Sequence, residues 1–159
     1  MMVLVAIVRL RGRVDVDPDV EYTLRLLRLY RKFHATLYPR ELPGFEGMLE
    51  KVQHWTTWGE IDLDTLKELL VRRGEIPGGG RISDEYVRER LSLNSVEDLA
   101  RELYEGRILL HKLGGIIKPV FRLHPPKGGF RGSIKKPIKE GGELGYRGKA
   151  INELLRRMM

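Results

Sequence analysis

The chain of 159 residues contains no cysteine, only two asparagines and a single glutamine. The absence of cysteine excludes disulfide bonds, thiolate zinc sites, iron–sulfur clusters and cysteine nucleophiles together. No apolar run approaches the roughly 20 residues needed to cross a bilayer. The apolar start is interrupted at Arg9, too early for a signal peptide. These absences predict a soluble cytosolic protein with no membrane partner.

Patterns typical of metal, cofactor and covalent sites are also missing. The four histidines, His34, His54, His111 and His124, fall in different predicted elements and lack metal-ligand spacing. The phosphate-binding pattern G-x-x-x-x-G-K-[ST] does not occur, and no serine stands in a G-x-S-x-G elbow. The segment before Gly142 is too polar to be a dinucleotide-binding strand. We therefore expect no metal, no cofactor, no small-molecule substrate and no enzymatic activity.

What the chain does have is a strongly basic segment, residues 118–149, which we call the basic arm. It carries nine basic and two acidic residues, so its net charge of +7 equals that of the whole chain. The rest of the chain is electrically balanced. Seven glycines and four prolines are spread through the arm. Such a cluster of unbalanced positive charge is typical of proteins that bind phosphate-rich partners.

The composition of the basic arm favours nucleic acid over a loop that is merely soluble. Like charges at this density repel one another unless a polyanion neutralises them, and glycine lets backbone N–H groups approach phosphate. Phe130 and Tyr146 stand among the cations, where aromatic rings can stack on unpaired bases. We expect contact with RNA or DNA that neutralises about 6–10 phosphates. An arm of this composition could also become ordered only as it binds.

A second basic patch follows the first predicted strand. Arg9, Arg11 and Arg13 share one face if that strand continues, because side chains alternate along a strand. An exposed strand end without a ligand explains the same residues equally well. Of the nearby Trp55 and Trp58, we expect at least one in the core, since large aromatics dominate core energetics.

Hydrophobic periodicity predicts alternating strands and helices. The β-branched and aromatic runs place strands at residues 3–10, 35–38, 54–61 and 116–124. Apolar spacing and capping residues place helices at residues 17–33, 45–52, 62–73, 83–91, 95–113 and 150–158. Pro77 and the three glycines after it read as the clearest linker in the chain.

Three stretches of the sequence resemble a known family. The family's opening strand, helix and second strand are matched by VRLRGRVDVDPDVEYTLRLLRLYRKFHATLYP, and its signature region by PGFEGMLEKVQHWTTWGEID. A segment that bacterial members lack is matched by RLHPPKGGFRGSIKKPIKEGGELGYRG. Over nearly its whole length the chain resembles the archaeal form of the L-thirty family of ribosomal large-subunit proteins, whose eukaryotic relatives are called L-seven. One departure is Glu46, where members commonly have arginine or lysine; a carboxylate there would repel RNA.

The resemblance implies an α+β fold with a ferredoxin-like β-α-β-α-β core and an antiparallel sheet in residues 1–76. It implies that residues 81–159 form an extension of archaeal and eukaryotic type, with helices, a further strand and the basic arm. It also implies a structural, non-catalytic role in the large ribosomal subunit. The expected partners are large-subunit rRNA, 5S rRNA and neighbouring ribosomal proteins.

The charge pattern and the resemblance together predict the side chains that contact RNA. The first group contains the cations of the basic arm: Arg122, Lys127, Arg131, Lys135, Lys136, Lys139, Arg147 and Lys149. Stacking or ribose contacts are expected from His124, Phe130 and Tyr146. Further cations are expected from the second basic patch and the first helix: Arg9, Arg11, Arg13, Arg28, Arg31 and Lys32. Close backbone approach, or equally well a flexible turn, is expected at Gly128, Gly129, Gly141 and Gly142.

Two other classes of protein fit parts of the sequence. A general nucleic-acid-binding or nucleoid protein would share the basic arm, but no helix-turn-helix spacing is present, and an arm of glycine and proline cannot form a recognition helix. A protein-interaction module would instead use the leucine-rich helices that follow Pro77.

Overall fold

The computed structural model describes residues 2–159, which form a mixed six-stranded sheet with six helices around it. The strands are β1 (Leu4–Arg9), β2 (His34–Pro39), β3 (Thr56–Glu60), β4 (Phe121–Arg122), β5 (Ser133–Pro137) and β6 (Gly142–Tyr146). The helices are α1 (Pro18–Leu26), α2 (Phe45–Val52), α3 (Leu63–Arg73), α4 (Asp84–Leu91), α5 (Val96–Glu105) and α6 (Ile151–Met158). None of these helices is long and apolar enough to cross a membrane.

The centre of the sheet confirms the expected β-α-β-α-β fold. β1 pairs antiparallel with both β2 and β3, and the full strand order is β4-β2-β1-β3-β6-β5. All six residues of β1 are buried, because helices cover both faces of the strand. This double coverage explains why β1 is a continuous apolar run rather than an alternating one.

Two hydrophobic clusters lie on opposite faces of the sheet. Val5 and Ile7 of β1 pack with α1 and α2 on one face. Leu4, Ala6 and Val8 pack with α3, α4, α5 and α6 on the other face. The second cluster is the larger one, and much of it comes from residues after position 81.

The C-terminal half extends the same sheet on both sides. β4 adds antiparallel to β2, and β6 adds parallel to β3. Residues 77–80, predicted as a linker, form a turn closed by a bridge between Glu75 and Arg81. The division of the chain into residues 1–76 and 81–159 stays a prediction, although the strands of the second part share the sheet and the core of the first.

Helix starts were predicted better than helix ends. The side chains of Asp62, Ser83 and Ser95 cap α3, α4 and α5 by accepting a backbone N–H, as a capping residue should. The prediction that the fifth helix continues to residue 113 was wrong, because Gly106 ends it in the left-handed conformation at φ +82°. The fourth predicted strand is also shorter, with only Phe121 and Arg122 in β4.

Candidate nucleic-acid interface

The basic arm contains two strands that its sequence did not predict. β5 lies at the edge of the sheet and pairs, with an irregular register, with β6, which in turn pairs with β3. The arm is therefore built onto the fold rather than attached as a loop. Its remaining residues form the short strand β4 and the turns and loops between the strands.

Several arm cations are held by carboxylates from other parts of the chain. Arg122 donates to both carboxylate oxygens of Glu75 at 2.7 and 2.8 Å, and Lys118 lies 3.5 Å from the same carboxylate. Burial acts to raise the pKa of Glu75, but the hydrogen bond and charge of Arg122, with Lys118, outweigh it and lower the pKa. Arg131 pairs with Glu153 of α6 at 3.1 Å but remains largely exposed. These cations attach the arm to α6 and to the turn after α3.

Arg147 was predicted as a phosphate contact, and the structure places it inside the protein instead. Its side chain is only 10% exposed and lies 2.9 Å from the carboxylate of Glu143. It also donates to the Thr57 hydroxyl at 2.7 Å and to the backbone carbonyl of Glu143. Arg147 thus joins the end of β6 to β3, and its guanidinium is already engaged through Nε and Nη2, so that little of its surface is left for a phosphate.

Five lysines of the arm have no such partner. Each is exposed, and within residues 2–159 none of their ammonium groups makes an ion pair or a hydrogen bond. They are Lys127, Lys135, Lys136, Lys139 and Lys149. Lys135 and Lys136 lie on the edge strand β5, and Lys139 lies in the turn that follows it. This group of five, which we call the free lysines, is the accessible positive surface of the arm.

The second basic patch is not a single basic face. Arg9 is 0% exposed and donates to the backbone carbonyls of Arg11 and Leu29 and to the carboxylate of Glu21 at 3.0 Å. Burial lowers the pKa of the Arg9 guanidinium, while the charge and hydrogen bond of Glu21 act in the opposite direction. Placing Arg9 in an RNA-binding surface was therefore wrong, since its donors are already used inside the protein.

The other two arginines of this patch are also engaged. Arg11 stacks on the ring of Trp55 at 4.3 Å from the ring centre, which is within cation–π range, and it donates to the His54 carbonyl. Arg13 lies 3.6 Å from Glu21 but keeps 63% of its side chain exposed. Arg13 is the more accessible of the two, because Arg11 would have to leave the Trp55 ring and the His54 carbonyl to reach a ligand.

The cations expected on the first helix lie outside it. Helix α1 ends at Leu26, and Arg28 follows in the left-handed conformation at φ +64°. Arg31 and Lys32 are exposed in the loop that leads to β2, and Lys32 lies 5.2 Å from the centre of the Phe33 ring. Arg31 and Lys32 are accessible, whereas Arg28 is partly buried, and all three lie on a loop and not on a helix face.

The three predicted stacking residues differ in how free they are. Phe130 is half-buried and packs on Phe33 with ring centres 6.2 Å apart, so its ring belongs to the edge of the core. His124 is half-buried, with Nδ1 2.8 Å from the Pro125 carbonyl. Tyr146 is 56% exposed and donates its hydroxyl to Glu60 at 2.6 Å. That hydrogen bond is the main cause of the raised pKa of Tyr146.

The arm glycines are explained by the fold itself. Gly128, Gly129 and Gly141 adopt positive φ angles in turns, and the N–H groups of Gly129 and Gly141 donate to Pro126 and Ile138. A Cβ at Gly142 would lie 1.9 Å from the Lys136 carbonyl oxygen, so glycine is needed where β5 and β6 meet. The turn alternative therefore accounts for the first three glycines, and close strand packing accounts for Gly142.

The sequence did not reveal the role of Trp58. Its register partner on β6 is Tyr146, and both side chains line a cleft of about 450 Å³ between the end of α2 and the turn after β5. Both residues also line a second cleft of about 360 Å³, whose charged lining is Glu46, Glu50, Glu60 and Arg40. The strand register between residues 58 and 146 is a long-range pairing that local patterns do not encode.

Comparison with known proteins gives a consistent family. The family model "Ribosomal protein L30p/L7e" matches residues 5–56. Proteins named "Large ribosomal subunit protein uL30" are similar over almost the full length. That of Hyperthermus butylicus is 65% identical over 98% of this chain and 90% of its own. Those of Desulfurococcus amylolyticus and Staphylothermus marinus are each 56% identical, covering 100% and 98% of both chains.

The matches to these archaeal proteins include the basic arm, because they extend over residues far beyond the family model. They agree with the β-α-β-α-β sheet and with the motifs in both halves of the sequence. The chain therefore belongs to the ribosomal protein L30p/L7e family.

Proposed function

We propose that this protein is a structural component of the archaeal large ribosomal subunit and binds large-subunit rRNA through the free lysines of its basic arm. Relatives that align with almost the full length of this chain are named as proteins of the large ribosomal subunit. As a component of the ribosome, the protein would be located in the cytoplasm. Contacts with 5S rRNA and with neighbouring ribosomal proteins are finer parts of the same proposal.

The observation that carries the rRNA proposal is the separation of paired from unpaired cations in the arm. A lysine held by a carboxylate must give up that partner before it can neutralise a phosphate, whereas a free lysine only releases counterions on the RNA. Lys127, Lys135, Lys136, Lys139 and Lys149 are all exposed. Accessible cations of this kind supply most of the affinity in nucleic-acid binding.

A second set of residues supports the free lysines. Arg31 and Lys32 are exposed on the loop before β2, and Arg131 is exposed despite its pairing with Glu153. Tyr146 presents an exposed ring. Folded rRNA offers phosphates and splayed bases together, so a surface of cations with few aromatics suits it.

Duplex DNA fits this surface less well. The free lysines are presented by an edge strand and by turns, and the described residues place no α-helix in the arm before α6. Residues 138–140 and 148–150 form only short 3-10 turns, whereas readout of duplex DNA commonly uses an α-helix in the major groove. An irregular surface of this kind is better matched to the irregular backbone of a folded RNA.

A salt-gradient titration against large-subunit rRNA, 5S rRNA and duplex DNA of matched length tests the proposal. With five phosphates neutralised, the logarithm of the affinity should fall with a slope of about −3.5 to −4.5, or roughly 100- to 500-fold between 50 and 200 mM salt. Large-subunit rRNA should remain bound above about 150 mM salt when DNA has dissociated. Equal affinity for all three, lost together as salt rises, would contradict specific rRNA binding.

A further inference from the structure

Two aromatic side chains lie next to each other on neighbouring strands at the margin of the arm. Trp58 of β3 and Tyr146 of β6 are register partners in a parallel pair, so their side chains leave the sheet on the same face. The Tyr146 hydroxyl donates to Glu60, which lies two residues beyond Trp58 on β3. This hydrogen bond restrains an exposed ring beside a partly buried one, and such a pair can serve as a stacking platform.

The cleft over this platform is open because of how the sheet is covered. Helix α2 packs over the central strands, while β6 lies further out. The end of α2 forms one wall of the cleft, and the turn after β5 forms the other. Its volume of about 450 Å³ falls within the roughly 300–1,000 Å³ typical of ligand pockets.

The polar groups at the rim of the cleft are suited to contact the base and the phosphate of a single nucleotide. Gln53 donates its amide N–H to the Glu50 carbonyl, which leaves its side-chain oxygen free to accept from a base. His54 is exposed, and its ring has no hydrogen-bond partner within residues 2–159. Lys139, one of the free lysines, lines the opposite wall and supplies a cation for phosphate.

We propose that this cleft binds an unpaired nucleobase of RNA, stacked on Trp58 and Tyr146, with its phosphate directed toward Lys139. The inference rests on the proposed rRNA-binding function and names a site for it. Base stacking on aromatic side chains is how proteins commonly hold single-stranded RNA. A base inside a helix is already stacked on its neighbours, so the cleft selects unpaired nucleotides.

The charges around Trp58 and Tyr146 determine in which of the two neighbouring clefts the RNA backbone can lie. The neighbouring cleft shares Trp58 and Tyr146 and is lined by three carboxylates, Glu46, Glu50 and Glu60, against one cation, Arg40, so its negative balance repels phosphate. The RNA backbone is therefore restricted to the Lys139 side. A basic segment of another protein would prefer the acidic cleft, so it is the competing occupant that the test must separate.

A single-tryptophan variant makes the cleft directly observable. The chain has two tryptophans, so Trp55→Phe leaves Trp58 as the sole indole reporter, with thermal unfolding to check that the fold is retained. An unpaired 10-nucleotide RNA should quench Trp58 emission over the range in which the anisotropy of the labelled RNA reports binding. A duplex RNA of the same length should bind without this quenching.

Substitution of the partner ring gives a second readout in the otherwise unchanged protein. Tyr146→Ala should weaken binding of the unpaired RNA roughly 5- to 150-fold, the usual effect of removing one stacking ring. The matched control is Tyr22→Ala on α1, where the tyrosine is 64% exposed and does not line the cleft. This control should bind as the unsubstituted protein does.

Three other outcomes would overturn the inference. RNA binding without quenching and with unchanged affinity for Tyr146→Ala would remove the nucleobase site and leave the rRNA proposal intact. No binding of any RNA would remove both. Quenching by an arginine-rich peptide but not by RNA would assign the rings to a protein partner.

Discussion

The two basic clusters of this chain look alike in the sequence and behave differently in the structure. Residues 9–13 contain three arginines, and residues 135–139 contain three lysines. In the first cluster one carboxylate, Glu21, lies 3.0 Å from Arg9 and 3.6 Å from Arg13. The second cluster has no carboxylate within ion-pair distance among the described residues. The position of acids in space, rather than the density of cations along the chain, decides which cations are accessible.

Within the arm, whether a cation is paired with a carboxylate depends on whether it is an arginine or a lysine. All three arginines of the arm pair with a carboxylate: Arg122, Arg131 and Arg147. Of its six lysines only Lys118 does so. The planar guanidinium can form several directed hydrogen bonds at once and suits such fixed pairs, whereas the mobile ammonium acts as a point charge. We infer that arginine holds the arm in place and lysine presents its charge.

The largest expected change in stability comes from the first cluster. Arg9→Met should lower the free energy of unfolding by about 2–4 kcal/mol. It removes the buried partner of Glu21, which keeps only its longer contacts with Arg13 and Arg25, and it leaves two carbonyls without their donor. Arg13→Ala is the matched control. Its exposed pair should contribute no more than about 1 kcal/mol. Urea unfolding of both variants measures the difference, and equal small losses would mean that Arg9 is not the structural cation described above.

A smaller loss of stability is expected from a change at Gly142, where β5, the strand that carries Lys135 and Lys136, packs against β6. Gly142→Ala should cost about 1–3 kcal/mol, because the added Cβ would overlap the Lys136 carbonyl and force β5 away from β6. Gly47→Ala on α2 is the matched control, since no atom lies within 4 Å of its added Cβ. Alanine in a helix should raise its stability by about 0.5–1 kcal/mol, so each variant is compared with the unsubstituted protein. Thermal unfolding compares the two. A Gly142→Ala protein as stable as the unsubstituted protein would show that β5 is not packed against β6 as described.

The free lysines of β5 have a second physical explanation that involves no RNA. Lysine and proline on an edge strand discourage pairing with other sheets, and Lys135, Lys136 and Pro137 lie on such an edge. This role predicts aggregation when the lysines are removed, with no change in RNA affinity. The RNA-binding role predicts weaker RNA binding without aggregation. One set of lysine variants can therefore separate the two roles.

Much of the fold could be predicted because its signals are local. The apolar run of β1 and the capping residues Asp62, Ser83 and Ser95 each act within a few residues, and the structure confirms them. The end of α5 was missed although Gly106 carried the signal, because apolar spacing continued beyond it. Strands β5 and β6 were missed because glycine, proline and lysine have low strand propensity.

The interface was harder to predict than the fold because it depends on long-range partners. The burial of Arg9 depends on Glu21 twelve residues away, and that of Arg147 depends on Thr57 ninety residues away. Nothing in the local sequence separates these arginines from an exposed cation. Five of the six lysines of the arm are exposed and unpaired in the structure, while their contact with rRNA stays a prediction.

The most direct measurement is the salt dependence of rRNA binding by two variants of equal charge. One is Lys135→Ala, Lys136→Ala, Lys139→Ala. The other is Lys51→Ala, Arg72→Ala, Lys112→Ala, which removes three exposed cations outside the arm. The first should make the slope of log affinity against log salt shallower by about 2–3, roughly one phosphate for each lysine, while the second leaves it nearly unchanged. Equal slopes for both variants would contradict binding of rRNA through the free lysines.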